Sequence, residues 1–254
     1  MTNRLLEQLR TAQQLYGACR LLEAETMCRQ ILRTDHQRHE AVHLLGVIAC
    51  KGRRFEEGHR LLSAAIALEP RSVEYRLNYG LALNEAGCWT ESENVLGDVI
   101  AAVSDHPLAL NNLGNAVQMQ GRLHEALEYY HRALQSDTDY FDARVNLAAA
   151  LRTLSRQKEA LSELQIVFAK SPNHVGALFQ RANLLADDRR IAEAEQIFQL
   201  IRIRQQRPYD LRHSLQDRFA RSTLGNPSAF AKEIEAAYDT AWSSAVTGHR
   251  RIGG

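Results

Sequence analysis

Apolar residues recur along the chain at i, i+3, i+4 and i+7 in paired runs, each pair joined by a short polar stretch. That spacing predicts amphipathic α-helices arranged two by two. The segment QMQGRLHEALEYYHRAL (residues 118–134) shows one join, with Gly121 placed where the first helix should stop. The pairs also return at a fixed interval. Asn78, Asn112 and Asn146 are 34 residues apart, and with Leu5, His39, Val73, Pro107, Phe141 and Val175 as first positions, six blocks of 34 run without insertion to Pro208. The predicted organisation is therefore 5–38, 39–72, 73–106, 107–140, 141–174 and 175–208.

Equivalent positions share a physical demand. Position 8 reads Ala12, Gly46, Gly80, Gly114, Ala148 and Ala182, and position 20 reads Ala24, Gly58, Ser92, Ala126, Ala160 and Ala194. Only small side chains stand in these two columns, which lets the two helices of a pair approach closely. Position 24 (Cys28, Leu62, Leu96, Tyr130, Leu164, Phe198) supplies the larger groups that fill the remaining space. Gly46, Gly80, Gly114, Ala126, Ala148 and Ala160 are the clearest packing residues. A pair of this size cannot bury its apolar face alone, so neighbouring pairs must stack.

This period resembles the tetratricopeptide repeat. Residues 107–140 carry the resemblance most fully, through Asn112-Leu113-Gly114-Asn115-Ala116, Gln120-Gly121, Glu125-Ala126 and Tyr129-Tyr130, with Pro70 and Pro172 as terminal prolines of two other blocks. The end blocks depart, with Thr11 and Arg181 at position 7. The resemblance implies an all-α, right-handed superhelical solenoid. Its first helices would line an inner groove that binds extended peptides.

On that implication a row of carboxamides runs down the groove: Asn78, Asn112 and Asn146 at position 6, Asn115 and Asn183 at position 9, and Gln118 nearby, with Arg152 as a basic neighbour. A carboxamide both donates and accepts, so such a row can hold a peptide backbone whatever its side chains. The competing reading is that the same amides bond within or between repeats. The groove's charges are mixed, with Glu40, Glu74, Glu85 and Asp142 against His43, Lys51 and Arg152. No block has Lys or Arg at position 2, so the family's two-carboxylate clamp for chaperone tails is not expected.

After Pro208 the pattern changes. Leu211, Leu215 and Phe219 predict one helix ending at Gly225, and Asn226-Pro227 opens a second striped by Phe230, Ile234, Tyr238 and Trp242. Residues 209–246 are read as a two-helix cap over the last repeat, and 247–254 as a frayed tail. The stretch 211–242, through Leu211-Arg212, Leu224-Gly225, Pro227, Phe230-Ala231, Glu235-Ala236-Ala237-Tyr238 and Trp242, resembles the extreme C-terminus of bacterial O-GlcNAc transferase-like proteins. In those enzymes a sugar-nucleotide-binding catalytic region lies between repeats and tail. Here Pro208 and Leu211 are neighbours, and no G-x-G-x-x-G or P-loop motif occurs. The chain is therefore read as a non-enzymatic interaction scaffold. The alternative is a truncated or accessory O-GlcNAc transferase-like protein that recognises substrates for glycosylation.

Composition narrows the remaining chemistry. Thirty-one Lys and Arg against thirty Asp and Glu give no electrostatic reason to expect nucleic acid or a membrane surface. Arg202, Arg204 and Arg207 read as a solvated helix end. Cys19, Cys28, Cys50 and Cys88 form no C-x-x-C pair, and His36, His39 and His43 lack a carboxylate pair to complete a metal site. No metal or cofactor is expected. The opening MTNRLLEQLR has no apolar core of a secretory signal, so a cytoplasmic location is expected. The partner is a protein or peptide, with a homodimer and a separate glycosyltransferase chain left open.

Overall fold

The computed structural model describes residues 3–203, and residues 3–201 belong to one compact unit. The chain folds as α1 (Asn3–Gly17), α2 (Leu21–Thr34), α3 (His39–Lys51), α4 (Phe55–Leu68), α5 (Val73–Ala86), α6 (Trp89–Ala102), α7 (Pro107–Met119), α8 (Leu123–Ser136), α9 (Phe141–Thr153), α10 (Gln157–Lys170) and α11 (Val175–Asp187). Residues 191–203 are helical as well. There is no strand among the described residues. The cap proposed for 209–246, its two helices, and Arg204 and Arg207 lie outside them.

The starts of α3, α5, α7, α9 and α11, at His39, Val73, Pro107, Phe141 and Val175, fall 34 residues apart. Helices adjacent in sequence pack together, and so do consecutive first helices: α1 with α3, α3 with α5, α5 with α7, α7 with α9 and α9 with α11. Among α2, α4, α6, α8 and α10, no two bring their backbones together. First helices packed side by side, with second helices splayed outside them, put the first helices on the inner face.

The small-residue columns do what their spacing predicts. All six residues at position 8 and all six at position 20 are buried. A Cβ added at Gly46 would stand 2.9 Å from Leu62, one at Gly80 2.5 Å from Leu96, and one at Gly114 2.6 Å from Tyr130. Position 8 therefore faces position 24 of its own repeat. Ser92, the polar member of the position 20 column, is fully buried and donates to the Gly80 carbonyl at 2.9 Å. The core runs continuously through the repeats from Leu77 to Leu184, and smaller apolar clusters fill the first two.

The turn inside each repeat has a uniform conformation. Cys19, Arg53, Gly87, Gly121, Ser155 and Arg189, all at position 15, have φ between 58° and 82°. The left-handed backbone there ends the first helix and redirects the chain. Glycine takes this conformation freely, whereas the four non-glycine residues adopt it at a cost of about 1–2 kcal/mol each. Position 16 follows with Arg20, Arg54, Arg122, Arg156 and Arg190, each pairing with a glutamate three residues on. Arg54 also reaches Glu25, and Arg122 reaches Glu93, tying the outer faces of neighbouring repeats.

Candidate functional site

Three first helices converge on one concavity of about 420 Å³, lined by Leu81, Asn84, Glu85, Trp89, Asn112, Asn115, Gln118, Met119 and Asn146. Helical spacing explains the grouping. Leu81, Asn84 and Glu85 are i, i+3 and i+4 on α5, while Asn112, Asn115 and Met119 are i, i+3 and i+7 on α7. Asn146 comes from α9, and Trp89 from the start of α6.

The asparagine row is not uniform. Asn78 Nδ2 lies 3.1 Å from His43 Nε2, and Asn146 Nδ2 donates to Asn111 Oδ1 at 2.9 Å. Both bonds join position 5 of one repeat to position 6 of the next, 35 residues on. His43 and Asn111 are buried, so these are scaffold bonds between repeats. His43 also stacks on Tyr75 with ring centroids 4.1 Å apart, and burial, with His39 nearby, pushes its imidazole down to about 4. His39, for its part, lies 2.8 Å from the Tyr75 hydroxyl.

Asn112 differs because position 5 of the preceding repeat is Leu77, which offers no partner. Its Nδ2 turns back to the Leu108 carbonyl at 2.8 Å, a local bond within its own helix. Its side chain is half-buried in the concavity with no inter-repeat role.

Asn115 and Gln118 are organised by the core. The Tyr130 ring occupies the space Gly114 leaves, and its hydroxyl stands 2.8 Å from the carboxamides of both Asn115 and Gln118. A phenol has one hydrogen, so the two amide oxygens, Asn115 Oδ1 and Gln118 Oε1, share it as acceptors. Neither carboxamide nitrogen makes a hydrogen bond among the described residues, so both keep free N–H donors. Asn84 Nδ2 donates to the Asn112 backbone carbonyl at 2.9 Å, and its buried Oδ1 has no partner among the described residues. The wall therefore carries fixed, unfilled donors and acceptors of the kind a peptide group complements.

Of the residues the sequence nominates, Asn112, Asn115, Gln118 and Asn146 meet in the concavity. Asn78 lies at the neighbouring repeat junction, Asn183 is half-buried on α11, and Arg152 pairs with Asp187 at 2.9 Å. Sequence reasoning missed Asn84, Leu81, Trp89 and Met119, and named Glu85 only among the groove's mixed charges. Helical spacing from Asn78 and Asn112 was the signal that could have found most of them.

Among the described residues no group of three or more His, Cys, Asp and Glu side chains is placed to hold a metal ion, and no helix is long and apolar enough to cross a membrane. Models of the tetratricopeptide repeat match residues 43–93, 107–140 and 145–210, together more than half of the chain. Similar curated proteins include the protein O-mannosyl-transferase Tmtc3 of Drosophila melanogaster, 26% identical over 155 residues, 54% of this chain and 15% of that protein. Another is DnaJ homolog subfamily C member 3 of Rattus norvegicus, 32% identical over 89 residues, 35% of this chain and 18% of that one. The chain thus spans less than a fifth of the length of these relatives. Among solved structures, Pseudomonas aeruginosa pilF aligns with TM-score 0.64 at 15% identity, covering 86% of this chain and 97% of that one. YrrB, described as a TPR protein with an unusual peptide-binding site, aligns with TM-score 0.56 at 18% identity, covering 70% and 93%.

Proposed function

This chain belongs to the tetratricopeptide repeat family, and from that premise we propose that it is a protein-interaction scaffold binding an extended segment of a partner protein in the concavity formed by α5, α7 and α9. Asn112 carries the reading. It stands in a row whose other two asparagines are committed to joining repeats, yet its own carboxamide bonds only within its helix and faces the groove. Asparagine in a helix interior costs several tenths of a kcal/mol relative to alanine, and scaffold bonding does not offset that cost here. Asn115 and Gln118 add amide groups already oriented by Tyr130. Single bonds of this kind net only ~0.5–1.5 kcal/mol, so binding sums several of them with apolar contact at Leu81 and Met119. The chain acts without catalysis of its own, in the cytoplasm.

The test is selection of peptides from a displayed random library on the immobilised chain, followed by comparison of Asn112→Ala and Met119→Ser with the wild type. Both variants should melt as the wild type does and lose the selected peptides. Undiminished capture by both would place binding elsewhere and overturn the reading.

A second reading is favoured by the tail resemblance over 211–242 and by the transferases among the curated relatives. The repeats then present substrates to a separate protein glycosyltransferase. It predicts co-purification with such an enzyme and reduced glycosylation of that enzyme's substrates in the Asn112→Ala strain; unchanged glycosylation refutes it.

A further inference from the structure

The charge lining the concavity is acidic. Arg152 is committed to Asp187, and Lys51 lies over the Tyr16 ring. None of the residues lining the concavity is Lys, Arg or His, and Glu85 is their one charged member. Glu85 is exposed and makes no ion pair among the described residues. Beside it stands Trp89, whose half-exposed indole favours a cation over its face. Met119, 57% exposed, and Leu81 supply apolar surface in the same concavity; a methionine adapts its shape to whatever apolar group it meets.

Resting on the peptide-groove reading above, we infer that the preferred occupant is an internal, extended segment carrying an apolar side chain two residues away from a lysine or arginine, so that both face the groove. The apolar group covers Leu81 and Met119, the cation meets Glu85 and Trp89, and the amides of Asn115 and Gln118 hold the backbone between them. A free C-terminal carboxylate is disfavoured, because the lining offers it no cation and one carboxylate at close range. An acidic neighbour is disfavoured for the same reason.

The experiment uses the full chain on an array of short peptides, acetylated and amidated at their ends, in a serine and glycine background with two central positions, separated by one residue, varied through all residues. Apolar–basic pairs should bind most tightly, about threefold better than the matching apolar–acidic pairs, the size expected of one exposed ion pair. That margin should shrink in molar salt. Glu85→Lys should invert the charge preference and Glu85→Gln should erase it, with retention still dependent on Asn112. An unchanged ranking in both Glu85 variants, or a wild-type preference for acidic pairs, overturns the inference while leaving the peptide groove standing. Failure of every peptide to bind the wild type overturns the groove itself.

Discussion

Replacing Asn146 or Asn112 by alanine separates the two duties of the asparagine row. Asn146 Nδ2 donates to Asn111 Oδ1 at 2.9 Å, and Asn111 is 4% exposed. Truncating Asn146 leaves that buried acceptor without its donor, a loss of about 1–3 kcal/mol. The better helix propensity of alanine returns about half a kcal/mol. The net loss is about 0.5–2.5 kcal/mol, which for a chain of this size lowers Tm by about 1–10 °C. Asn112→Ala breaks only the bond to Leu108 within its own helix, so the propensity gain dominates and Tm stays level or rises slightly. Thermal unfolding followed by circular dichroism measures both. A double-mutant cycle of Asn111→Ala with Asn146→Ala should show coupling, because the two side chains share one bond. Equal destabilisation by Asn112→Ala and Asn146→Ala would refute the division of the row into a scaffold pair and a free member.

Gly114→Ala should destabilise by about 1–3 kcal/mol through overpacking, since its Cβ would lie 2.6 Å from the Tyr130 ring. Tyr130→Leu in the same chain should recover most of that loss, as Ala148 with Leu164 is the working combination one repeat on; denaturant midpoints decide. At the turns, Arg53→Gly and Ser155→Gly should each raise stability by about 1 kcal/mol by removing a side chain from a left-handed backbone, and Gly121→Ala should lower it similarly. Lowered midpoints for both glycine variants would contradict the turn geometry. His43 gives a pH dependence. Its imidazole is pushed down to about 4 from an ordinary 6.5, so between those values the unfolded chain binds a proton that the folded chain does not. Its contribution is full above about 6.5 and is lost progressively as the pH falls toward 4. His43→Phe, which keeps a ring against Tyr75, should flatten that part of the Tm–pH curve.

The fold was legible because its demands recur in register. Backbone approach at positions 8 and 20 tolerates only small side chains, so the constraint is written six times over in plain residue types. The site was half legible. Reading down a single column brought Asn78, Asn112 and Asn146 together as equivalents, but their roles depend on position 5 of the preceding repeat. There His43, Leu77 and Asn111 differ. The comparison at 35 residues, not 34, holds that information. Leu81, Asn84, Trp89 and Met119 escaped notice because they come from different columns and meet only when the first helices pack side by side. The left-handed turns were visible at Gly87 and Gly121 and hidden at Cys19, Arg53, Ser155 and Arg189, where tertiary packing imposes the conformation on residues that do not favour it.

Tyr130 has an ending of its own. Its ring is the filler that makes Gly114 necessary, and its hydroxyl is the post to which Asn115 and Gln118 are tied. A segment that engages those two amides therefore pulls on the same side chain that closes the fourth repeat. Occupancy of the groove should be felt as slower opening of α7 and α8, read as added protection of their amides from hydrogen exchange. In Tyr130→Phe, which keeps the ring and drops the post, a ligand should still bind weakly but lose that hold on the interior.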